Sequence, residues 1–88
     1  MKEFKHIIKD KNGLHARPAG MLATVARSFE SDIKVLSQGK EADGKRLLSL
    51  MALGAKYDTE LHFKVSGSDE DEALLALEEH CKSKLSGE

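Results

Sequence analysis

Gly13-Leu14-His15-Ala16-Arg17-Pro18-Ala19 is where an opening strand gives way to the first long helix of the chain. Pro18, the only proline in the sequence, suits a first helical turn. Its missing N–H has no intrahelical partner to lose there, and its fixed φ is already helical. His15 is therefore read as standing at the mouth of the helix, with Pro18 setting the geometry of the start. First-turn N–H groups and the positive end of the helix dipole form a natural anion site, and a phosphoryl group is the usual guest of such a site. On that reading His15 is a candidate nucleophile and Arg17 a charge-matched partner for phosphate oxygens. By position alone, a helix cap or an exposed loop residue accounts for the histidine about as well. Three physical points favour the nucleophile. The ring must be neutral to attack, and a helix N-terminus disfavours the imidazolium. The product carries negative charge, which the same N-terminus stabilises. Arg17 relieves the rest without being able to lose its own proton.

Upstream, Phe4 to Lys9 alternates with Phe4, His6 and Ile8 on one face, a first strand. Asp10-Lys11-Asn12-Gly13 is a turn-forming loop. Downstream, Ala19, Leu22, Ala23, Ala26 and Phe29 follow helical spacing from Ala16 to about Phe29. Met21 and Val25 widen that stripe, so a broad face is expected to pack on a sheet. Asp32 to Ser37 alternates through Ile33 and Val35, Gln38-Gly39 makes a turn, and Lys40 to Asp43 returns as the second arm of a hairpin. Lys45 to Leu53 is expected to form a short helix closed by Gly54. Glu60 to Ser66 has the clearest alternation, with Leu61, Phe63 and Val65 inward and His62, Lys64 and Ser66 outward. Ser68 and Asp71 have the form of a capping box for a last helix from about Asp69 to Leu85. Its stripe is Ala73, Leu74, Leu77, Cys81 and Leu85. Acids at its start and Lys82 and Lys84 near its end suit the dipole.

The order is βαββαβα. It predicts an α+β open-faced β-sandwich, one antiparallel or mixed sheet with helices covering one face. At 88 residues the chain has room for one domain, residues 1–88, and none for a large enzyme cleft. A formal net charge of −1, with basic residues spread along the chain, gives no reason to expect nucleic acid or an anionic membrane as partner. Only Phe4, Phe29, Tyr57 and Phe63 are aromatic, too few for base-stacking platforms. No apolar run is long enough to suggest a transmembrane helix or a signal peptide. Cys81 is the only cysteine, so it has no internal disulfide partner. It reads as a small core residue of a chain that works in a reducing cytoplasm. His6, His62 and His80 show no metal-ligand spacing, and neither metal nor cofactor is expected.

Two stretches of the middle of the chain carry further information. Gly39 to Arg46 nearly spells G-x-x-x-x-G-K-[ST], a phosphate-binding loop. Arg46 stands where the motif needs a hydroxyl for magnesium, Glu41 and Asp43 would repel phosphate, and the reading is rejected. In the next segment Leu47, Leu48, Leu50, Met51 and Leu53 are more apolar residues than one face of a short helix can hide. Residues 47, 50 and 51 share a side, and Leu48 lies well away from Leu50. Some of this set must face solvent or a partner.

The run Gly13–Ala19 resembles the active-site signature of the HPr family, the histidine-containing phosphocarriers of the bacterial phosphoenolpyruvate-dependent sugar phosphotransferase system. The resemblance covers nearly all 88 residues. It implies a four-stranded antiparallel sheet in the order 1-4-2-3 with three helices on one side. It also implies a cytoplasmic, monomeric carrier that is phosphorylated on Nδ1 of His15 by enzyme I and passes the group to sugar-specific IIA proteins. By resemblance Gly20, Leu47, Leu48 and Met51 form the patch on which those partners dock. Methionine suits a surface that binds several partners, because its side chain adapts in shape. Two positions depart from the family. Arg46 replaces the serine that many Gram-positive members carry as a kinase target, and Ser49, one turn later, is expected to face out or bond back to a carbonyl. Asp58 replaces a frequent turn glycine; aspartate tolerates the same left-handed conformation. A paralogue serving a nitrogen-related phosphotransfer branch, and a protein-binding regulator that is never phosphorylated, remain as alternatives.

Overall fold

In a computed structural model, β-strands β1 (Lys2–Ile7), β2 (Asp32–Ser37), β3 (Lys40–Asp43) and β4 (Glu60–Ser66) form one antiparallel sheet in the order β1-β4-β2-β3. The structure describes residues 1–84. Helices α1 (Ala16–Arg27), α2 (Leu47–Met51) and α3 (Glu70–Lys84) complete the expected βαββαβα order. The alternation of β4 decides which side of the sheet is dry. Leu61, Phe63 and Val65 are fully buried, and the register sets Phe63 opposite Phe4 and Val35, and Val65 opposite Ile33. Phe4 and Phe63 stack with ring centroids 4.5 Å apart, an arrangement that adds to simple area burial. Onto this face α1 lowers Ala19, Leu22, Ala23 and Ala26, α2 lowers Leu50, and α3 lowers Ala73, Leu77 and Cys81. Burial of a leucine such as Leu22 or Leu50 contributes about 2 kcal/mol.

The opposite face stays open and charged. His62 Nε2 lies 2.6 Å from Glu3, Lys5 pairs with Glu60 at 3.9 Å, and Lys34 with Glu41 at 4.0 Å. Such exposed pairs are worth little individually, and among the described residues all three helices pack on the other face.

Several boundaries differ from the sequence expectation. β1 runs from Lys2 to Ile7 rather than from Phe4 to Lys9, because pairing with β4 begins at Lys2 opposite Val65. α1 stops at Arg27, where the amides of Ser28 and Phe29 turn to carbonyls three residues back. α2 is confined to Leu47–Met51: the Lys45 amide donates instead to Asp43 Oδ1 at 3.0 Å, and Arg46 is extended. Gly54 follows with φ +63, the left-handed residue expected past the helix end. Asp58, at φ +69, takes the same conformation. Gln38 and Gly39, both at positive φ, make the two-residue hairpin turn. Leu85 lies outside the described residues.

The Ser68–Asp71 capping box is replaced by a different arrangement. Glu70 accepts the Gly67 amide at 3.1 Å, while Asp69 reaches across to the α1–β2 connection. Its carboxylate accepts the amides of Glu30 and Ser31, each at 2.9 Å, and the Ser31 hydroxyl. Foremost the Ser31 hydroxyl, and then the Glu30 amide, hold the Asp69 carboxyl below its ordinary value of 3.8.

Candidate functional site

At the N-terminus of α1, His15 is the capping residue, with extended backbone (φ −90, ψ −174) and a side chain that makes no capping hydrogen bond. The first bond of the helix runs from the Ala19 amide to the His15 carbonyl at 3.0 Å. Ahead of it stand the amides of Ala16 and Arg17, while Pro18, buried in the first turn, has none to offer. The imidazole is therefore left out of the helix's own hydrogen bonding and is 41% exposed. Arg17 is exposed, and among the described residues its guanidinium makes no hydrogen bond or ion pair. A half-exposed imidazole, first-turn amides without an intrahelical partner and an exposed arginine two residues on thus stand at one helix end. The arrangement can receive a dianionic group and leave its oxygens within reach of donors.

The loop that delivers His15 reads only as a turn in the sequence, and the structure shows what holds it. Leu14 donates its amide to the Ala55 carbonyl at 2.9 Å, tying the loop to the α2–β4 connection. Gly13 sits at φ +69, and a Cβ there would stand 2.5 Å from the Ala55 oxygen and 2.8 Å from Lys56 Cα. Only glycine combines that conformation with so close an approach. Asp10 is a neighbour of the site that sequence reasoning misses: its Oδ2 lies 3.6 Å from His15 Nε2. Neither Ala55 nor Asp10 carries a sequence signal for these roles beyond proximity to a glycine-ended turn.

Along α1 the side away from the core carries Arg17, Gly20, Met21 and Thr24. Met21 is 39% exposed, so it does not widen the buried stripe as expected; spacing of four from Arg17 places it on the outward side. A Cβ on Gly20 would meet only Leu47 Cδ1, at 4.0 Å, which places α2 directly beside the first helix. On α2 the apolar residues divide. Leu50 is fully buried and Leu53 nearly so, Leu47 is half-buried, Met51 is 39% exposed and Leu48 is 80% exposed. Exposure rises around the helix from Leu50 through Leu47 and Met51 to Leu48, which lies well away from Leu50 as expected. Gly20 and Leu47 face each other, and Met21, Leu48 and Met51 leave exposed apolar side chains on α1 and α2.

Arg46, the capping residue of α2, is exposed. Ser49 does not face out or bond to a carbonyl; its Oγ accepts the Asp43 amide at 2.9 Å and clips β3 to α2. Burial pushes the Cys81 thiol up to about 12, with a smaller contribution from the Glu78 charge. Among the described residues no three His, Cys, Asp or Glu side chains are grouped to hold a metal, and no helix is long and apolar enough to cross a membrane.

Residues 2–83 match the family model described as the PTS HPr component phosphorylation site. The chain is 42% identical over 78 residues to the phosphocarrier protein HPr of Mycoplasma genitalium, covering 88% of this chain and 89% of that one. A solved structure of a mycoplasma histidine-containing phosphocarrier protein superposes with a TM-score of 0.94 at 34% identity, covering 99% of both chains. HPr from Thermoanaerobacter tengcongensis superposes with a TM-score of 0.91 at 38% identity, over 100% of this chain and 99% of that one.

Proposed function

The chain belongs to the HPr family, the phosphocarriers of the phosphotransferase system, and we propose that His15 is the residue on which it carries phosphate. It is a carrier and not a catalyst: partners bring and remove the group. His15 accepts a phosphoryl group from phospho-enzyme I through Nδ1. The lone pair of that nitrogen forms the P–N bond while the bond from phosphorus to the donor breaks, its electron pair leaving on the donor. The carrier then presents the phosphohistidine to the IIA component of a sugar permease.

The observation that carries this reading is the half-exposed imidazole at the open mouth of α1 with exposed Arg17 two residues on. Arg17 and the amides of Ala16 and Arg17 hold phosphoryl oxygens, and Pro18 keeps the first turn in place without competing for them. Gly20, Leu47, Leu48 and Met51 supply an apolar seat that excludes water around the transferring group, as in-line transfer requires. The protein acts as a monomer in the cytoplasm, because the same patch must be free for successive partners. The test is a relay: protein loaded by phosphoenolpyruvate and enzyme I is isolated and mixed with IIA proteins of sugar permeases. Passage of the label to a IIA protein supports the reading. Uptake of phosphate that only a nitrogen-branch IIA protein can remove would assign the carrier to that branch. No uptake by folded protein would leave only a binding role.

A further inference from the structure

Among the described residues, Asp10 is the only acid within ion-pair distance of His15. Its carboxylate is aimed by the loop. Oδ1 accepts the Asn12 amide at 2.8 Å, and the Asp10 carbonyl accepts the Gly13 amide at 2.9 Å. Immediately upstream, the Ile8 amide donates to the Thr59 carbonyl at 2.9 Å, and the Ile8 carbonyl accepts the Asp58 amide at 2.7 Å. Both flanks of Asp10 are thereby fixed, and Oδ2 is left facing Nε2 of His15 at 3.6 Å. At that distance the carboxylate acts on the ring as a nearby charge rather than as a hydrogen-bond acceptor. With side chains 31% and 41% exposed, it is partly screened.

The geometry points to Asp10 as a positioning residue for phosphoryl transfer, an inference that rests on the reading of His15 as the acceptor. A carboxylate opposite Nε2 favours the tautomer with its proton on Nε2, which leaves the lone pair on Nδ1. When Nδ1 bonds to phosphorus, the ring keeps its Nε2 proton and becomes positively charged. Asp10 faces that proton and offsets the charge. The division of labour is spatial: Arg17 and the first-turn amides serve the phosphoryl oxygens, and Asp10 serves the far side of the ring. An acid placed beside the phosphoryl group would repel it; one placed at Nε2 does not confront it.

The test compares wild type, Asp10→Asn and Asp10→Ala by 15N spectra of the His15 ring at a pH where it is neutral, and by the rate of phosphoryl uptake from phospho-enzyme I. Asp10→Ala is expected to lower the ratio of the Nε2–H to the Nδ1–H tautomer about fivefold and to slow uptake by a similar factor. Asp10→Asn, whose one amide oxygen keeps the Asn12 amide and whose NH2 then faces Nε2, should lower the ratio at least as far as Asp10→Ala with the loop intact. The same ring pattern in all three proteins would overturn the inference, even with slowed uptake, because Asp10 would then act through the loop alone. The ring spectra need no partner protein. Wild type that takes up no phosphate would therefore remove His15 as acceptor while the spectra still decide whether Asp10 sets its tautomer.

Discussion

Gly13→Ala strikes the point where the His15 loop leans on the rest of the molecule. Two effects add. Alanine at φ +69 enters the left-handed region at about 1.5 kcal/mol. The new Cβ would also stand 2.5 Å from the Ala55 oxygen and 2.8 Å from Lys56 Cα. Both are backbone atoms and cannot rotate aside, so the loop must lift, and the Leu14 amide loses its 2.9 Å bond to Ala55. A hydrogen bond of that kind contributes about 1 kcal/mol, and the poorer seating of buried Leu14 adds about 0.5 kcal/mol. The sum is about 3 kcal/mol. Gly54→Ala is the matched control: φ is +63, but nothing lies within 4 Å of the new Cβ, so only the conformational part of about 1.5 kcal/mol applies. With a urea slope of about 1.5 kcal/mol/M, the unfolding midpoint should fall by about 2 M for Gly13→Ala and about 1 M for Gly54→Ala. Phosphoryl uptake should slow in the first and stay at wild-type rate in the second. Equal midpoints for the two variants would refute the argument that close approach to Ala55 anchors the site loop.

Arg17→Ala should leave the unfolding midpoint within about 0.5 kcal/mol of wild type and slow phosphoryl uptake about tenfold or more, the loss of a charge-assisted hydrogen bond; unchanged kinetics would remove Arg17 from the site. Leu48→Ser should be nearly neutral in stability yet weaken binding to enzyme I, whereas Leu50→Ala should cost about 2–5 kcal/mol. Urea curves and titration calorimetry on the pair would expose an error if Leu48→Ser proved the more destabilising. The folded-state value of Asp69 is depressed below 3.8, so its contribution is complete above that pH and fades as pH falls through the lower folded value. Asp69→Asn should flatten the acid limb of the stability profile, and an acid limb identical to wild type would contradict the clamp. With its thiol at about 12 and buried, Cys81 should resist alkylation at pH 8 until the protein is unfolded in urea; labelling of folded protein at the rate of a free thiol would show that the α3 face is open.

The parts of the fold visible in the sequence are those set by local periodicity. Glu60 to Ser66 alternates so regularly that the pattern by itself singles out the buried trio of Leu61, Phe63 and Val65. His15 and Pro18 announce a helix mouth because capping and proline chemistry act within one turn. The excess of leucines in the second helix requires some exposure, and Leu48 and Met51 supply it. What stays hidden depends on neighbours distant in sequence. Pairing with Val65 shifts the first strand to begin at Lys2, which no pattern within residues 1–9 reveals. Ser31 and Glu30 draw the Asp69 carboxylate away from its own helix, so a valid local capping pattern loses to a tertiary one. Met21 belongs by composition to a core stripe, yet the sheet and α3 occupy only one side of α1. The nearness of Asp10 to His15 follows from a loop closed on Ala55, a contact across more than forty residues.

The most direct test of the account is incubation of wild type and His15→Ala with phosphoenolpyruvate and enzyme I, read by intact mass before and after mild acid. One phosphoryl group on wild type, lost in acid and absent from His15→Ala, is the predicted result. Phosphate that survives acid, or that appears equally on folded His15→Ala, would contradict the claim that the chain carries its phosphoryl group on His15.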